Sequence, residues 1–281
     1  TDEAGQSKTY HFRYLVVASG RFSKPRWPKL LPKQQHFADE NVKFCTDYRE
    51  ADEYKDKRVL VVGLGNSGQD IVLDLLRKGA RVSISQRGPI NIGPDFMFRI
   101  GNKQFLTGFM FARMLQPLCN YGGKTGRLVA DFVARTVLKM YYPNQEKYGF
   151  KWDTMGPFSR NAKGLESRIP IVDEGISAAI KHGAVSKVLP EILRYHEHQQ
   201  VEFVDGSFNQ FDEIIYCTGF APELDYLPEA IRQTYLPDGI PVASGQLAKP
   251  HNIGFMGMHF DLFGGIGRIL PSNAKSLANA I

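Results

Sequence analysis

Three glycines at fixed spacing form the pattern in this sequence that most specifically predicts chemistry. Gly63, Gly65 and Gly68 make a G-x-G-x-x-G motif. In such a motif the first glycine permits a tight turn, the second lets a pyrophosphate approach the backbone, and the third lets a helix pack close to a strand. The N–H groups and the positive end of that helix face the phosphates, and Asn66 and Ser67 can add side-chain donors. The pattern therefore predicts a dinucleotide-binding turn.

The motif stands where a strand is expected to end and a helix to begin. Residues 57–62 form a nearly continuous apolar run, which is typical of a parallel strand covered on both faces. The spacing of Ile71 and Leu75 predicts a helix over residues 67–78, and a second strand is predicted over residues 80–85. This strand–turn–helix context makes a common glycine pattern specific.

The end of the second predicted strand indicates which dinucleotide is bound. An NAD site usually has Asp or Glu there, because a carboxylate holds the ribose 2′-hydroxyl. This chain has Ser85-Gln86-Arg87 instead. No carboxylate would repel a 2′-phosphate, and Arg87 can bind one in a bidentate manner. We therefore expect NADPH, with a solvated surface arginine as the alternative interpretation of Arg87.

A weak internal repeat brackets this unit. Residues 11–20 and 210–219 align without a gap, and each reads as a buried strand that ends in a small residue, a hydroxyl and a glycine. The closing pairs are Ser19-Gly20 and Thr218-Gly219.

A hairpin is expected before each copy of the repeat. Residues 201–204 alternate, Asp205-Gly206 is a tight-turn pair, and a return strand runs toward Phe211. Residues 5–8 would supply the turn before the first copy. The repeat predicts two dinucleotide-type domains, with most of the first one absent. A chain that starts at Thr1 is also expected to be part of a longer protein.

Two further regions lack such a motif. Between Gly101 and Met140, apolar residues recur at a spacing that predicts helices, of which Phe105, Leu106, Phe109 and Met110 are examples. Packing helices are the favoured interpretation, and a lipid-facing patch or a substrate entrance is the alternative. After Pro241 we expect a strand over residues 252–258, a glycine-rich loop over residues 264–267 and a helix from Ser272.

Composition excludes several classes of protein. The net charge of +6 suits an anionic cofactor, and no dense basic run with interleaved aromatics predicts nucleic-acid binding. Three widely spaced cysteines favour a reducing compartment and argue against a disulfide framework, a zinc site or a disulfide reductase. His196 and His198 lack a third ligand nearby, so we expect a solvated hairpin edge, and we expect His259 to be structural. No transmembrane segment is expected.

With these features in place, the sequence resembles the flavin-containing monooxygenases, and in particular their plant auxin-synthesising branch. The resemblance covers nearly the whole chain. It rests on residues 15–20 with Pro25 and Pro28 after them, on residues 57–68, and on residues 212–220.

The resemblance implies an α/β fold with two Rossmann-like domains, in which an NADPH-binding domain is inserted into an FAD-binding domain that is only partly present. Residues 26–222 would form the NADPH domain, and residues 1–25 and 223–281 would belong to the FAD domain. NADPH would reduce FAD, and the reduced flavin would activate O₂ to oxygenate a small organic substrate, chiefly at nitrogen or sulfur.

The family's binding residues transfer to matching positions of this chain. By this resemblance Ser19 and Gly20 lie near FAD, and Thr218 and Gly219 lie at the cofactor-facing end of the last strand of the second domain. The residues that would hold NADPH are Gly63, Gly65, Asn66, Ser67, Gly68 and Arg87. The resemblance assigns no catalytic side chain. It leaves a homo-oligomer open, and it fits a cytoplasmic enzyme, with peripheral membrane association also open.

Two features depart from the family pattern. The family's N-terminal FAD glycine motif does not occur in these residues. In the segment that ends at Tyr48, Phe44 stands where the family has a histidine, and the family's glycine is missing. Two alternatives therefore stay open beside the monooxygenase: a Baeyer–Villiger oxygenase of the same architecture, and a non-catalytic NADPH-binding module.

Overall fold

The computed structural model describes residues 11–33, 35–89, 92–94, 96–100, 103–150, 155–162, 171–236, 241, 244–258 and 265–281. The chain divides into two compact units. The flanking unit comprises residues 1–24 and 220–281, from the two ends of the chain, and the central unit comprises residues 25–219. The hairpin turn expected over residues 5–8 lies outside the described residues, as does His259.

Short strands and seven helices make up the described residues. The strands are β1 (Leu15–Val17), β2 (Lys24–Pro25), β3 (Val42–Phe44), β4 (Arg58–Val62), β5 (Arg81–Ser85), β6 (Ile92–Pro94), β7 (Phe96–Ile100), β8 (Lys103–Thr107), β9 (Ile171–Asp173), β10 (Lys187–Leu189), β11 (Ile192–His196), β12 (Gln200–Phe203), β13 (Phe208–Gln210), β14 (Glu213–Tyr216), β15 (Phe220–Ala221), β16 (Leu247–Ala248) and β17 (Ile253–Phe255). The helices are α1 (Asn66–Arg77), α2 (Gly108–Tyr121), α3 (Gly123–Tyr141), α4 (Pro157–Ala162), α5 (Ile176–Lys181), α6 (Glu229–Tyr235) and α7 (Gly265–Ala280). Short 3-10 helices cover Asp39–Asn41, Ala51–Tyr54 and Gln145–Tyr148.

A five-stranded sheet forms the core of the central unit. Its order is β10-β5-β4-β14-β3, and every neighbouring pair is parallel. The middle strand β4 is apolar and its inner residues are fully buried, as its sequence predicts. Because all five strands run the same way, their carboxyl ends meet at one edge, where α/β folds bind ligands.

Helix α1 covers this sheet with one apolar face. Ile71, Val72 and Leu75 are buried against the strands, and the helix ends next to Gly79, which takes a positive φ of 86°. The predicted helix and both strands lie within one residue of their observed bounds. The local pattern was sufficient here because a single apolar stripe and a glycine stop define the helix.

The hairpin predicted before the second repeat copy is present. Strands β12 and β13 pair antiparallel, and β11 extends them to a three-stranded sheet. Asp205 accepts hydrogen bonds from the backbone N–H of Ser207 at 3.0 Å and from its hydroxyl at 2.7 Å, which closes the turn. Gly206 has a positive φ of 79°.

The apolar region between Gly101 and Met140 is only partly helical. Phe105 and Leu106 lie in strand β8, which pairs with β7, so their prediction as helical residues is wrong. The apparent helical spacing arose because the apolar run crosses from a strand into α2. From Gly108 onward the prediction is confirmed by α2 and α3.

The flanking unit is held together by strands from both ends of the chain. Strand β1 pairs parallel with β17, and β16 pairs antiparallel with β17. Val17, Phe255 and Met258 are buried here together with residues of α6. The expected strand over residues 252–258 is observed as Ile253–Phe255.

The predicted glycine-rich loop is in part helix. Helix α7 begins at Gly265 and includes Gly267, whereas the sequence predicted a helix only from Ser272. Gly264 lies outside the described residues. Gly267 is tolerated because a glycine lowers helix propensity by only about 1 kcal/mol, which packing can offset.

The two repeat copies have the same local form. Gly20 and Gly219, which close them, have positive φ angles of 84° and 86°. Each follows a strand in a parallel pair, β1 with β17 in one copy and β14 with β4 in the other. The matching conformations support the repeat that the sequence suggested.

Candidate dinucleotide site

The turn after β4 is shaped by two glycines at which any Cβ would come too close to backbone atoms. Gly63 has a φ of 97°, and a Cβ there would lie 2.7 Å from the carbonyl oxygen of Cys217. A Cβ on Gly68 would overlap the carbonyl oxygen of Gly63 and lie 3.3 Å from Cβ of Cys217. The Gly63 N–H also donates to the carbonyl oxygen of Ser85 at 2.9 Å. The turn is therefore packed against the ends of both neighbouring strands, β5 and β14.

Gly65 differs from its two partners because it faces open space. It is the N-cap of α1, no side chain caps this helix, and a Cβ at Gly65 would meet nothing within 4 Å. An open helix N-terminus is favourable for a phosphate, since its N–H groups and dipole present positive charge there. The residues present therefore fit the pyrophosphate of a dinucleotide.

The first turn of α1 is fixed by hydrogen bonds to β9. The Oδ1 of Asn66 accepts from the N–H of Val172 at 3.1 Å. Gln69 donates from Nε2 to the carbonyl oxygen of Val172 at 2.8 Å and accepts from the N–H of Glu174 at 3.2 Å. The side-chain carbonyl of Asn66 thus helps to position the helix. The sequence did not indicate this role. Gln69 was also missed, although a glutamine on the apolar face of α1 is a signal of such a role.

The end of β5 presents a basic residue beside this turn. Ser85 and Gln86 are buried; the Ser85 hydroxyl donates to the carbonyl oxygen of Pro190 at 2.8 Å, and the Gln86 N–H donates to that of Leu189 at 2.8 Å. Arg87 is exposed, and its side chain makes no ion pair with the described part of the chain. The guanidinium is therefore available to an anionic ligand.

Gln86 has an unmet hydrogen-bond acceptor. Its Nε2 donates to the carbonyl oxygen of Gly88, but its Oε1 is buried without a partner among the described residues. A buried acceptor of this kind costs about 1–3 kcal/mol unless something donates to it. The sequence indicated only that Gln86 is not a carboxylate, and gave no sign of this buried acceptor.

The second strand–hydroxyl–glycine element lies against the same turn. Besides its contacts with Cys217, a Cβ at Gly63 would lie 3.5 Å from Cα of Thr218. The Thr218 hydroxyl donates to the carbonyl oxygen of Arg26 at 2.6 Å, and the Gly219 carbonyl accepts from the Arg26 N–H at 2.9 Å. Gly63, Ser85 and Thr218 therefore meet at the carboxyl edge of the sheet.

Two cysteines that are remote in sequence meet beneath the glycine turn. β14 pairs with β3 in a register that ends at Tyr216 and Phe44, and the Cys45 N–H donates to the Tyr216 carbonyl at 2.9 Å. The thiols of Cys45 and Cys217 interact with each other, which lowers the pKa of Cys45 and raises that of Cys217. Both are free thiols. The sequence suggested no paired cysteines, because Cys45 and Cys217 are far apart along the chain and only the fold brings them together.

Phe44, which departs from the family motif, and Tyr48, which matches it, both contact other parts of the central unit. Phe44 is buried in β3, and the centroid of its ring lies 5.1 Å from the centroid of the Trp27 ring. The Tyr48 hydroxyl donates to Oδ2 of Asp74 in α1 at 2.8 Å, and burial raises the pKa of this phenol. Tyr48 therefore ties the segment after β3 to the dinucleotide helix.

Ser19 and Gly20 belong to the flanking unit, where they border a cavity of about 330 Å³. The cavity lies at the carboxyl ends of the parallel strands β1 and β17, with residues 18–23 on one side and Met256, Gly257 and Leu270 on the other. The hydroxyls of Ser19 and Tyr226 are 3.0 Å apart.

The paired histidines lie at a hairpin. His196 Nε2 is 2.8 Å from Oε2 of Glu202, and His198 takes a positive φ of 59° in the turn after β11. Among the residues that the structure describes, no three His, Cys, Asp or Glu side chains are grouped to hold a metal. Within that same set, no helix is long and apolar enough to cross a membrane.

Comparison with solved structures identifies the fold. Cyclohexanone monooxygenase from Rhodococcus sp. Phi1 bound to NADP⁺ matches with a TM-score of 0.57 at 17% identity, over 95% of this chain and 58% of that one. A flavin-containing monooxygenase from Stenotrophomonas maltophilia matches with a TM-score of 0.54 at 16% identity, over 96% of this chain and 63% of that one. The predicted α/β class with two Rossmann-like domains is confirmed.

Curated proteins and a family description give the relationship. The chain is 30% identical over 271 residues to indole-3-pyruvate monooxygenase YUCCA8 of Oryza sativa subsp. indica, covering 96% of this chain and 60% of that protein. It is 34% identical over 210 residues to YUCCA1 of Oryza sativa subsp. japonica, covering 74% and 47%. The chain thus spans about half the length of these relatives. Residues 1–237 match the description "Flavin-binding monooxygenase-like", and the chain therefore belongs to the flavin-binding monooxygenase-like family.

Proposed function

We propose that this chain is part of an NADPH- and FAD-dependent monooxygenase that uses O₂ to oxygenate a small organic substrate. The observation that carries the proposal is the open N-terminus of α1 at Gly65, with Arg87 exposed at the end of the adjacent strand. Family membership adds the flavin. In this scheme the cofactors supply hydride transfer and oxygen activation, and the protein supplies position, electrostatics and exclusion of water.

Within the central unit, each residue of the turn has a separate role in binding NADPH. Gly63 and Gly68 bring helix and strands together, and Gly65 leaves the space that the pyrophosphate needs. The N–H groups at Asn66 and Ser67 and the Ser67 hydroxyl donate to phosphate oxygens. Since one end of the Asn66 amide is bound to Val172, its contribution to the ligand comes from the other end or from its backbone.

Arg87 selects the dinucleotide by its charge. A guanidinium can donate two parallel hydrogen bonds to the 2′-phosphate of NADPH, which NADH lacks. The buried Gln86 holds the chain in place just before it. The absence of a carboxylate at Ser85-Gln86-Arg87 removes the repulsion that an NAD site exerts on that phosphate.

FAD is assigned to the flanking unit. Its cavity beside Ser19 and Gly20 lies at the carboxyl ends of two parallel strands, the usual ligand position in such sheets. The proposed domains are residues 26–222 for NADPH, and residues 1–25 and 223–281 for FAD. The compact units of the structure run over residues 25–219 and over 1–24 with 220–281, which supports this division. Thr218 and Gly219 close the last strand of the NADPH domain.

The proposal includes a reducing, cytoplasmic location, because Cys45, Cys119 and Cys217 are all free thiols. The two relatives quoted above are named for indole-3-pyruvate, so this keto acid is a first substrate to test, beside an amine, a thioether and a cyclic ketone. Homo-oligomer formation stays a prediction.

The decisive experiment compares NADPH and NADH binding to the chain and to Arg87→Ala. Loss of charge-assisted hydrogen bonds should weaken NADPH binding about 10- to 100-fold and leave NADH unchanged. Arg81→Ala is the matched control, because Arg81 is an exposed arginine at the opposite end of the same strand. Equal preference for both dinucleotides in the parent chain would contradict the assignment.

Product analysis on the complete gene product separates the alternatives. An oxygenated amine or thioether supports the proposed chemistry, whereas a lactone from the cyclic ketone identifies a Baeyer–Villiger enzyme. A purified complete protein that binds NADPH but retains no flavin absorbance would instead be a binding module, and would refute the monooxygenase.

A further inference from the structure

The helical hairpin α2–α3 of the central unit exposes an unusual amount of apolar surface. Met114 and Tyr121 of α2 have 65% and 92% of their surface exposed, and Phe132 and Met140 of α3 have 71% and 76%. The other large exposed apolar residues on these helices are Met110, Leu118, Leu128, Val129 and Tyr141. Single exposed apolar residues are ordinary, but so many on two adjacent helices indicate an interaction surface.

The exposed residues follow helical periodicity. Met110, Met114, Leu118 and Tyr121 recur at three- or four-residue spacing along α2, while Leu115 of the same helix is buried. In α3 the buried residues are Gly126, Ala130, Asp131 and Ala134, and Leu128 and Phe132 project from the other side. Each helix therefore has a small-residue or apolar face toward the protein and a second apolar face toward solvent, which we call the outer face.

The charges among these residues have one sign. The sequence from Gly108 to Tyr141 contains five basic residues, Arg113, Lys124, Arg127, Arg135 and Lys139, and one acidic residue, Asp131. Asp131 is buried, and its carboxylate accepts from the N–H groups of Phe158 and Ser159 at 2.9 and 3.1 Å. The acidic residue of these two helices therefore lies inside the protein, whereas Lys124 and Lys139 are exposed.

We propose that the outer face of α2–α3 docks on an anionic lipid surface. Phe132, Tyr121 and the methionines would enter the boundary between headgroups and acyl chains, and Lys124 and Lys139 would lie against lipid phosphates. A helix that lies in the interface combines an apolar face with basic residues and does not need the length of a spanning helix. The charge pattern favours this occupant over a second copy of the chain, because two copies meeting through this face would bring like charges together.

This inference does not depend on the proposed enzymatic activity. It assigns a surface of the central unit that neither the glycine turn nor Arg87 uses. It also predicts that an apolar substrate dissolved in the bilayer would be at high local concentration near the protein.

Vesicle flotation of the chain tests the proposal. The chain should float with phosphatidylcholine vesicles that contain phosphatidylserine, much less with pure phosphatidylcholine, and less again at high salt. The double variant Leu128→Ser/Phe132→Ser removes two apolar anchors and should lower vesicle affinity at least about tenfold. Lys124→Glu/Lys139→Glu should abolish the preference for phosphatidylserine.

Two matched variants test whether the loss of any exposed apolar or basic side chain would have the same effect on flotation. Leu193→Ser changes an exposed apolar residue of β11, and Lys181→Glu changes an exposed lysine of α5; neither should alter flotation. Circular dichroism confirms that all variants are folded, and Phe132→Trp adds a second readout, since its indole emission should shift to the blue on anionic vesicles.

Three results would overturn the proposal. One is a parent chain that does not float with phosphatidylserine vesicles. Another is flotation that the outer-face variants leave unchanged. The third is a parent chain that ignores vesicles but is a dimer by light scattering, with Phe132→Ser converting it to a monomer; the outer face would then be an interface between copies.

Discussion

Among single residues, the glycines of the motif have different roles: Gly65 is expected to affect NADPH binding, and Gly68 to affect stability. Gly65→Val would place its side chain in open space at the helix N-terminus, where the pyrophosphate is expected. We expect NADPH affinity to fall about 100-fold, while the free energy of unfolding changes by no more than about 1 kcal/mol. Titration calorimetry and urea unfolding measure the two quantities.

The matched variant is Gly68→Ala, whose Cβ would overlap the Gly63 carbonyl. Overpacking of this kind should lower the free energy of unfolding by about 1–3 kcal/mol. If both variants lost stability equally and bound NADPH equally well, the space at Gly65 would not be the pyrophosphate site.

The thiol pair beneath the turn gives a second prediction for single residues. The interaction between the two thiols lowers the pKa of Cys45 and raises that of Cys217, and Cys217 is also buried. Because the thiolate is the reactive form, iodoacetamide should alkylate Cys45 before Cys217 and before Cys119, whose pKa is raised by burial. Peptide mass mapping over time gives the order. Cys45→Ser should remove the fast phase, and fast labelling of Cys217 would contradict the contact.

For the secondary-structure elements, the ion pair between β4 and the residue that precedes β14 makes stability depend on pH. Arg58 donates from Nε and Nη2 to Asp212 at 3.1 and 2.6 Å, and these hydrogen bonds lower the pKa of Asp212. A carboxyl group with a lowered folded pKa stabilises the fold above its unfolded pKa of about 3.9, and this contribution is lost as pH falls through the folded value.

We therefore expect Asp212→Asn to cost about 1 kcal/mol near neutral pH, a modest figure because both side chains are about one-third exposed. The difference from the parent chain should shrink as pH falls below the unfolded pKa and vanish once pH lies below the folded pKa of Asp212. Urea unfolding at several pH values measures it, with exposed Glu197→Gln as a control that should show little effect. A difference that persisted in acid would mean that the ion pair is not its source.

Secondary structure was predicted correctly where the pattern that defines an element lies within the element itself. β4, α1 and β5 follow from an apolar run, one apolar stripe and glycine punctuation, all local features. Prediction failed where the signal lies in contacts between remote residues, as with Cys45 and Cys217, or Gln69 and Val172. It also failed at β8, because the alternation of a strand and the period of a helix cannot be told apart over a short apolar run.

For the site, the sequence predicted residue types better than their bonding. Gly63, Ser85 and Thr218 do meet at one edge of the sheet, as the order of a parallel α/β unit requires. The use of Asn66 as an acceptor for β9 could not be predicted, because Val172 lies 106 residues after Asn66. Which cofactor atoms these residues contact stays a prediction that binding measurements must test.

At the scale of the whole molecule, the flanking unit takes its strands from both ends of the chain. β1 pairs with β17, so Leu15 is opposite Ile253. The central unit needs only residues 25–219. During synthesis the chain emerges from its amino end, and domains generally fold as units. The central unit should therefore fold on the ribosome before β17 has emerged to pair with β1.

Ribosome-bound chains of different lengths test this order. A nascent chain whose residues up to 219 have left the exit tunnel should protect the central unit from a protease and leave the segment around β1 cleavable. Protection of that segment should appear only after β17 has emerged. In the cell, the edge of β1 that pairs with β17 would then stay open while more than 200 residues are translated, and a chaperone that shields this edge would raise the number of chains that reach the native state.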